Sequence, residues 1–278
     1  MTIPEAIILG LVQGLTEFIP VSSTAHLLIV PQVLGWGDPG AAVSAVIQFG
    51  TLLAAIIYFF KDIVRLIAGF FRGLITRRPL ADVDSREAWL VVIGTIPIVV
   101  LGLLFKKHIE STFRGLWIVT TMVIVVAILM HLAEAYAKRR QLRGFGEMTV
   151  TDSVAIGIGQ CLALIPGSSR SGSTIMTAIF RGIDRPTAAR YSFLLSIPAV
   201  GGAGVLELFK ERHTLGALGW TPIAVAIVVA FISGYASIWF LIRYLRTHTT
   251  HIFIYYRYAL GIAMIAMLAT GYLNSAMK

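Results

Sequence analysis

Two short runs hold most of the side chains able to do chemistry. GLTEFIPVSSTAH, residues 14–26, sets Thr16, Glu17, Ser22, Ser23, Thr24 and His26 around Pro20. PGSSRSGST, residues 166–174, sets Ser168, Ser169, Arg170, Ser171, Ser173 and Thr174 behind a Pro-Gly pair. In the second run Pro166 and Gly167 end one helix, and the serines suit a turn or the cap of a helix from about 172. Free backbone N–H groups at that start, with Arg170, make a site for an anion. An arginine fork bonds phosphate oxygens in pairs, and Ser169, Ser171, Ser173 and Thr174 supply further donors. The plainer reading is that the serines only cap a helix and Arg170 snorkels to the interface. An unpaired charge at membrane depth is costly, which favours the anion site.

In the first run Gln13 and Glu17 are spaced i, i+4 and share a helical face. A carboxylate and an amide oxygen there suit a hard cation, Mg²⁺ or Ca²⁺. One carboxylate is a thin site, so the metal would lean on substrate phosphates. Glu17 can instead pair with Arg170, and the two arrangements can alternate with and without ligand. Ser23 and His26 are three apart, also on one face. A hydroxyl beside an imidazole is the smallest activated-nucleophile pair, and His26 alone can serve as base towards water or as acid towards a leaving oxygen. Standing alone, this motif reads better as a helix cap and a satisfied buried histidine. If the two runs meet, Glu17, Ser23 and His26 face Arg170 and Thr174, a constellation suited to phosphoryl transfer.

The elements that hold these residues belong to a membrane. Hydrophobic residues make up 57% of the chain and charged residues 13%, against about 25% charged in soluble domains. The net charge of +9 comes without an aromatic-basic patch or nucleic-acid motif, so no nucleic-acid partner is expected. The N-terminus lacks the basic region of a signal peptide and reads as structure. The single cysteine, Cys161, lies in an apolar run and reads as a buried thiol.

Six segments are apolar over nearly the length a span needs: 41–60, 88–105, 115–137, 187–209, 220–242 and 252–273. Stretches 3–36 and 152–181 are broken at their centres by Pro20 and Pro166 with the following hydroxyls. Each half is too short to cross, so each stretch is expected to form a re-entrant hairpin. The fold class expected is an all-α polytopic membrane protein, 1–278, with six transmembrane helices and two such hairpins. QGLTEFIPVSST also resembles QCLALIPGSSRS, matching Gln13 with Gln160, Pro20 with Pro166 and Ser22-Ser23 with Ser168-Ser169, with one residue deleted in the second copy. Each run precedes three spans, which gives a first repeat over 1–140 and a second over 148–278. A hairpin plus three crossings inverts the second copy, and inverted repeats bring their broken helices together near the midplane.

Lys61, Arg65, Arg72, Arg77, Arg78 and Arg86, with Lys138, Arg139, Arg140 and Arg143, crowd one side of this topology. That side is expected to be cytoplasmic, so the first hairpin enters from outside. Amphipathic interfacial helices are expected around 62–80. Gln48 is expected to bond between helices, Arg257 to form an ion pair or snorkel, and Glu134, Asp184 and Arg185 to be ordinary interface charges.

QGLTE, FIPVSSTAH and PGSSRSGST, with VIQFGTLLAAI and YSFLLSIPA, resemble the bacterial undecaprenyl-diphosphate phosphatases of the bacitracin-resistance type over nearly the whole chain. The resemblance implies hydrolysis of undecaprenyl diphosphate to the monophosphate, a divalent metal, a polyprenyl diphosphate lipid as substrate and a homodimer. It also implies the bacterial cytoplasmic membrane, with the active site open to the periplasm or exterior. Glu17, Ser23, His26, Ser169, Arg170 and Thr174 fall on that family's functional positions. The family pattern allows Glu or Gln at its first acidic position; Gln13 stands there, leaving Glu17 as the key acid. Inverted repeats also suit a transporter or flippase of a polyprenyl phosphate or other anion, but a carrier needs no nucleophile.

Overall fold

The computed structural model describes residues 1–36, 40–105, 115–138 and 140–273. Eleven α-helices carry these residues: α1 (Ile3–Phe18), α2 (Ser23–Val33), α3 (Gly40–Tyr58), α4 (Phe60–Ile75), α5 (Val83–Leu104), α6 (Leu116–Ala137), α7 (Val150–Gln160), α8 (Arg170–Phe180), α9 (Arg185–Leu218), α10 (Trp220–Leu245) and α11 (His251–Ala269). The all-helical class stands, and the chain is a multi-pass membrane protein.

Among the described residues four helices, α5, α6, α10 and α11, are long and apolar enough to cross a membrane. A fifth span is available if α3 and α4 count together, although the chain bends by 75° between them. The segment expected to cross at 187–209 lies within the 34-residue α9. The amphipathic stretch expected near 62–80 is α4, whose Phe60, Val64, Ile67 and Phe71 are exposed.

The two broken stretches show why local sequence ends a helix. α1 stops at Phe18, and Ile19, the residue before Pro20, is extended at φ −65°, ψ 133°. After α7 a 3₁₀ turn, Cys161–Leu164, leads to Ile165, extended before Pro166 at φ −95°, ψ 117°. A residue before proline is pushed out of the helical region by the ring. Each chain then passes through a left-handed serine, Ser22 at φ 77° and Ser169 at φ 67°. Ser22 Oγ accepts from Ala25 N and Ser169 Oγ from Gly172 N, capping α2 and α8. Both following helices have 11 residues, about 16 Å at 1.5 Å per residue, which is half a bilayer core.

This geometry corrects the motif register. Ser22 corresponds to Ser169, not Ser168, and Ser23 to Arg170. The capping boxes begun by Thr2 and Thr149, and the starts of α2 and α8, share one displacement of 147 positions. That is also the displacement of Gln13 from Gln160. The cap falls two residues after Pro20 and three after Pro166, so the serine pairs align in sequence but not in backbone.

Close packing at small residues holds the first hairpin. α1 lies on α10 where a β-carbon on Gly10 would sit 2.6 Å from Ala226 O, and one on Gly14 2.7 Å from Ala230 O. Such Gly-xxx-Gly spacing lets helix backbones approach. Glu134 of α6, fully buried, accepts from Arg185 Nε at 3.0 Å, Thr250 N at 2.8 Å and Thr250 Oγ1 at 2.7 Å. Glu134 and Arg185 are therefore not ordinary interface charges. A fully buried carboxylate needs this many donors, and those donors tie the starts of α9 and α11 to α6. Asp184 caps α9 through Thr187 N.

Candidate active site

The two hairpin breaks meet at a cavity of about 180 Å³. Its polar wall is Glu17 of α1, Ser22, Ser23 and Thr24 at the start of α2, Gln48 of α3, and Ser169 and Arg170 at the start of α8. Ile98, Ala163, Ile165, Ala199 and Val200 form much of the rest. Of the residues expected from sequence, Glu17, Ser23, Ser169 and Arg170 reach the cavity wall. Gln13, His26, Ser171, Ser173 and Thr174 stand behind it.

Glu17 is the hub. Its Oε1 accepts from Arg170 Nη2 at 3.1 Å, and its Oε2 accepts from Ser23 Oγ at 2.8 Å and Gln13 Nε2 at 2.9 Å. The Arg170 and Glu17 side chains are 11% and 7% exposed. Arg170 Nη1 also reaches Ser192 O at 3.4 Å. The second hairpin is stitched to the first by Ser171 Oγ, which lies 3.3 Å from Glu17 O and 3.4 Å from Ile19 O. Those carbonyls lie at the C-terminal end of α1, where no further helical turn supplies donors.

Two positive helix ends, α2 and α8, open on the cavity. A third source of positive potential lies behind both breaks. Arg257 of α11 is fully buried, and every hydrogen bond it makes goes to a backbone carbonyl. Nε donates to Val123 O at 3.1 Å, Nη1 to Pro20 O at 3.3 Å, and Nη2 to Gly167 O at 3.0 Å. Nη2 also lies within reach of Met122 O and Ser168 O. Among the described residues Arg257 therefore forms neither the ion pair nor the snorkel expected of it. It pins the carbonyls exposed by both helix breaks to α6 and meets no carboxylate among the described residues. Two helix N-termini and two arginines against one carboxylate make the cavity receptive to an anion of more than one charge.

His26 is engaged elsewhere. Its Nδ1 lies 2.7 Å from Ser22 O and its Nε2 2.6 Å from Tyr256 Oη. A carbonyl only accepts, so Nδ1 carries the proton of the neutral ring, and Nε2 accepts the tyrosine O–H. Among the described residues no hydrogen bond joins Ser23 Oγ to the imidazole. The helical spacing puts Ser23 and His26 on one side of α2, but Glu17 captures the hydroxyl and Tyr256 the ring. Ring stacking adds to the second contact, with His26 and Tyr256 centroids 5.7 Å apart and planes at 11°.

Thr174 Oγ1 pairs with Ser192 Oγ at 2.5 Å and reaches Arg170 O at 2.8 Å, so it braces the arginine's turn against α9. Ser173 is fully buried and its Oγ has no partner among the described residues. Gln48 faces the cavity and makes no interhelical side-chain bond among the described residues. Sequence reasoning gave no role to Ser192, although it lies in the YSFLLSIPA stretch, and missed Tyr256, whose local sequence does not set it apart. The signal for Arg257 was there: an intramembrane arginine without a carboxylate at helical spacing.

A family model described as bacitracin resistance protein BacA matches residues 6–263. Among curated relatives, an undecaprenyl-diphosphatase of Chloroherpeton thalassium is 51% identical across 99% of this chain and 100% of its own length. One of Chlorobaculum tepidum is 50% identical across 98% and 99%. One of Myxococcus xanthus is 51% identical across 99% and 92%.

Proposed function

Because the chain belongs to the bacitracin resistance protein BacA family, we propose that it hydrolyses undecaprenyl diphosphate to undecaprenyl phosphate and inorganic phosphate. That reaction returns the lipid carrier to cell-wall synthesis and underlies bacitracin resistance. The observation that carries the reading is the meeting of both broken helices at one cavity, with Arg170, Ser23 and Glu17 in mutual contact.

In this reading Arg170 leaves Glu17 for the diphosphate and bonds it with two N–H groups. The N–H groups at the starts of α2 and α8 hold the remaining oxygens. Ser23 Oγ attacks the terminal phosphorus, and its proton passes along the existing 2.8 Å contact to Glu17 Oε2. The bond from that phosphorus to the bridging oxygen breaks, and undecaprenyl phosphate departs with the electron pair. Water then cleaves the phosphoserine and inorganic phosphate leaves. His26 holds Ser22 O, so its part is to keep the left-handed turn that aims Ser23. Catalysis here is mainly positioning and charge stabilisation, as phosphoryl transfer requires.

A divalent metal is part of the same reading, although among the described residues no group of three or more His, Cys, Asp or Glu side chains gathers to hold one. Gln13 is fully buried, and its Oε1 has no donor among the described residues. Its Nε2 donates to Glu17 Oε2 at 2.9 Å; with the amide turned, an amide oxygen and a carboxylate on one helical face would suit Mg²⁺ or Ca²⁺. Glu17 and Gln13 would hold the ion, which would neutralise diphosphate charge.

The same proposal includes six crossings with two re-entrant hairpins in inverted repeats, supported by the matched caps and the half-length α2 and α8. It places the protein in the bacterial cytoplasmic membrane, with the cavity open to the periplasmic or exterior side, on the strength of the Lys and Arg distribution. A homodimer is also part of it. The test is phosphate release from C55 diphosphate by purified protein in detergent, with and without EDTA. Release that EDTA abolishes is expected. Binding without release would overturn the reading in favour of transport.

A further inference from the structure

The lipid substrate is far larger than the cavity. A site for a drug-sized ligand runs to about 300–1,000 Å³, so about 180 Å³ takes a diphosphate head and leaves a C55 chain outside. The chain must leave through an apolar wall. Ile98 of α5 and Ala199 and Val200 of α9 supply that wall, and Ile98 and Ala199 each follow a proline inside a long helix, Pro97 and Pro198. Such a proline removes an intrahelical hydrogen bond and bends the helix.

Before the prolines the two helices touch. Tyr191 Oη donates to Leu90 O at 2.7 Å, and a β-carbon on Gly94 would lie 2.6 Å from that oxygen and 3.0 Å from Leu195 Cδ2. Beyond them the two helices have open positions among the described residues. Gly202, one turn past Ala199 and on its face, has no described residue within 4 Å of where a β-carbon would stand. Gly102, one turn past Ile98, has Leu164 as its nearest neighbour, at 3.6 Å, and no neighbour from α9. Val99, Val100, Leu103 and Leu104 around it are exposed.

Resting on the diphosphatase reading, we propose that the polyprenyl chain leaves the cavity between α5 and α9 beyond Pro97 and Pro198, across Ile98, Ala199 and Gly202. This cleft is where the protein selects a long isoprenoid tail. Under the proposed orientation it opens into the exterior leaflet.

Gly202→Trp tests it without disturbing the fold, because the side chain enters open space and a helical glycine is itself unfavourable. The KM for C55 diphosphate is expected to rise at least tenfold, on the order of a lost tail contact, with kcat within about twofold. Ile262→Trp, at a comparably open site on α11, leaves both unchanged. An unchanged KM for Gly202→Trp, or a fall confined to kcat, overturns the cleft. A photo-crosslinking residue at Leu103 should capture radiolabelled C55 monophosphate, and one at Ile262 should not. Equal capture at both overturns the proposal even if the tryptophan variant misfolds. Absence of phosphate release by the unaltered protein would instead strike the diphosphatase reading.

Discussion

Replacing Arg170 with alanine removes the contact between the two hairpins on which the proposed chemistry depends. The guanidinium sits 3.1 Å from Glu17 Oε1, with both side chains nearly buried. Removing one partner of a buried pair costs about 3–5 kcal/mol, because the other charge is left uncompensated. Ser23 and Gln13 still donate to Glu17 Oε2, so the lower end, about 3 kcal/mol, is expected for Arg170→Ala. The catalytic loss is separate. One preorganised donor towards developing oxyanion charge is worth about 10²–10³ in rate, and a guanidinium presents two. A fall in kcat/KM of about 10³ or more follows.

The double variant Glu17→Gln/Arg170→Ala separates the two effects. It removes the uncompensated carboxylate, so it should regain most of the lost thermal stability in detergent while releasing no phosphate. Colorimetric phosphate release from C55 diphosphate and thermal unfolding of the same preparations read both quantities. Turnover by Arg170→Ala within tenfold of the unaltered protein refutes the clamp. A double variant no more stable than the single one refutes the ion-pair argument.

Ser23→Ala should lower kcat by about 10³ or more, whereas Tyr256→Phe, which loses one neutral hydrogen bond worth about 1 kcal/mol, should stay within about fivefold. Equal losses would make the imidazole, not Glu17, the base for Ser23. Arg257→Met leaves the carbonyls of both breaks without their donor; charged hydrogen bonds are worth about 1.5–3 kcal/mol each, and partial recovery of desolvation leaves about 2–4 kcal/mol of destabilisation, seen as a lower Tm. An unchanged Tm would show that the breaks hold themselves. EDTA should abolish phosphate release and Mg²⁺ restore it, and Gln13→Leu should raise the Mg²⁺ needed for half activity about tenfold. No change in that titration would remove Gln13 from the metal site.

Much of this fold was legible because its decisive events are chain-local. A proline constrains its own and its predecessor's backbone, so the end of α1 and the end of the 3₁₀ turn that follows α7 can be read from Pro20 and Pro166. The half-length α2 and α8 follow from counting, and the serine-rich turns announce caps. The same local logic left the second cap open among its serines and aligned Ser22 with Ser168, because Ser168 and Ser169 are both competent caps and only the backbone path chooses Ser169. Residue types also determined the chemistry on offer: a carboxylate, a hydroxyl, an imidazole and a guanidinium around two helix starts.

Which of these groups touch was decided by tertiary structure. Glu17 meets Arg170 across 153 positions, His26 meets Tyr256 across 230, and Arg257 reaches Pro20 across 237. Hydrogen bonds form with whichever partner the packing brings within about 3 Å, and no spacing rule reaches that far along a chain. Ser23 and His26 share a helix side by sequence, yet nearer partners on α1 and α11 take them apart. The sequence by itself determined that two broken helices carry phosphate chemistry. Only their docking on α6, α9 and α11 decided that the Ser23 hydroxyl meets Glu17 rather than His26 and that Arg257 braces both breaks.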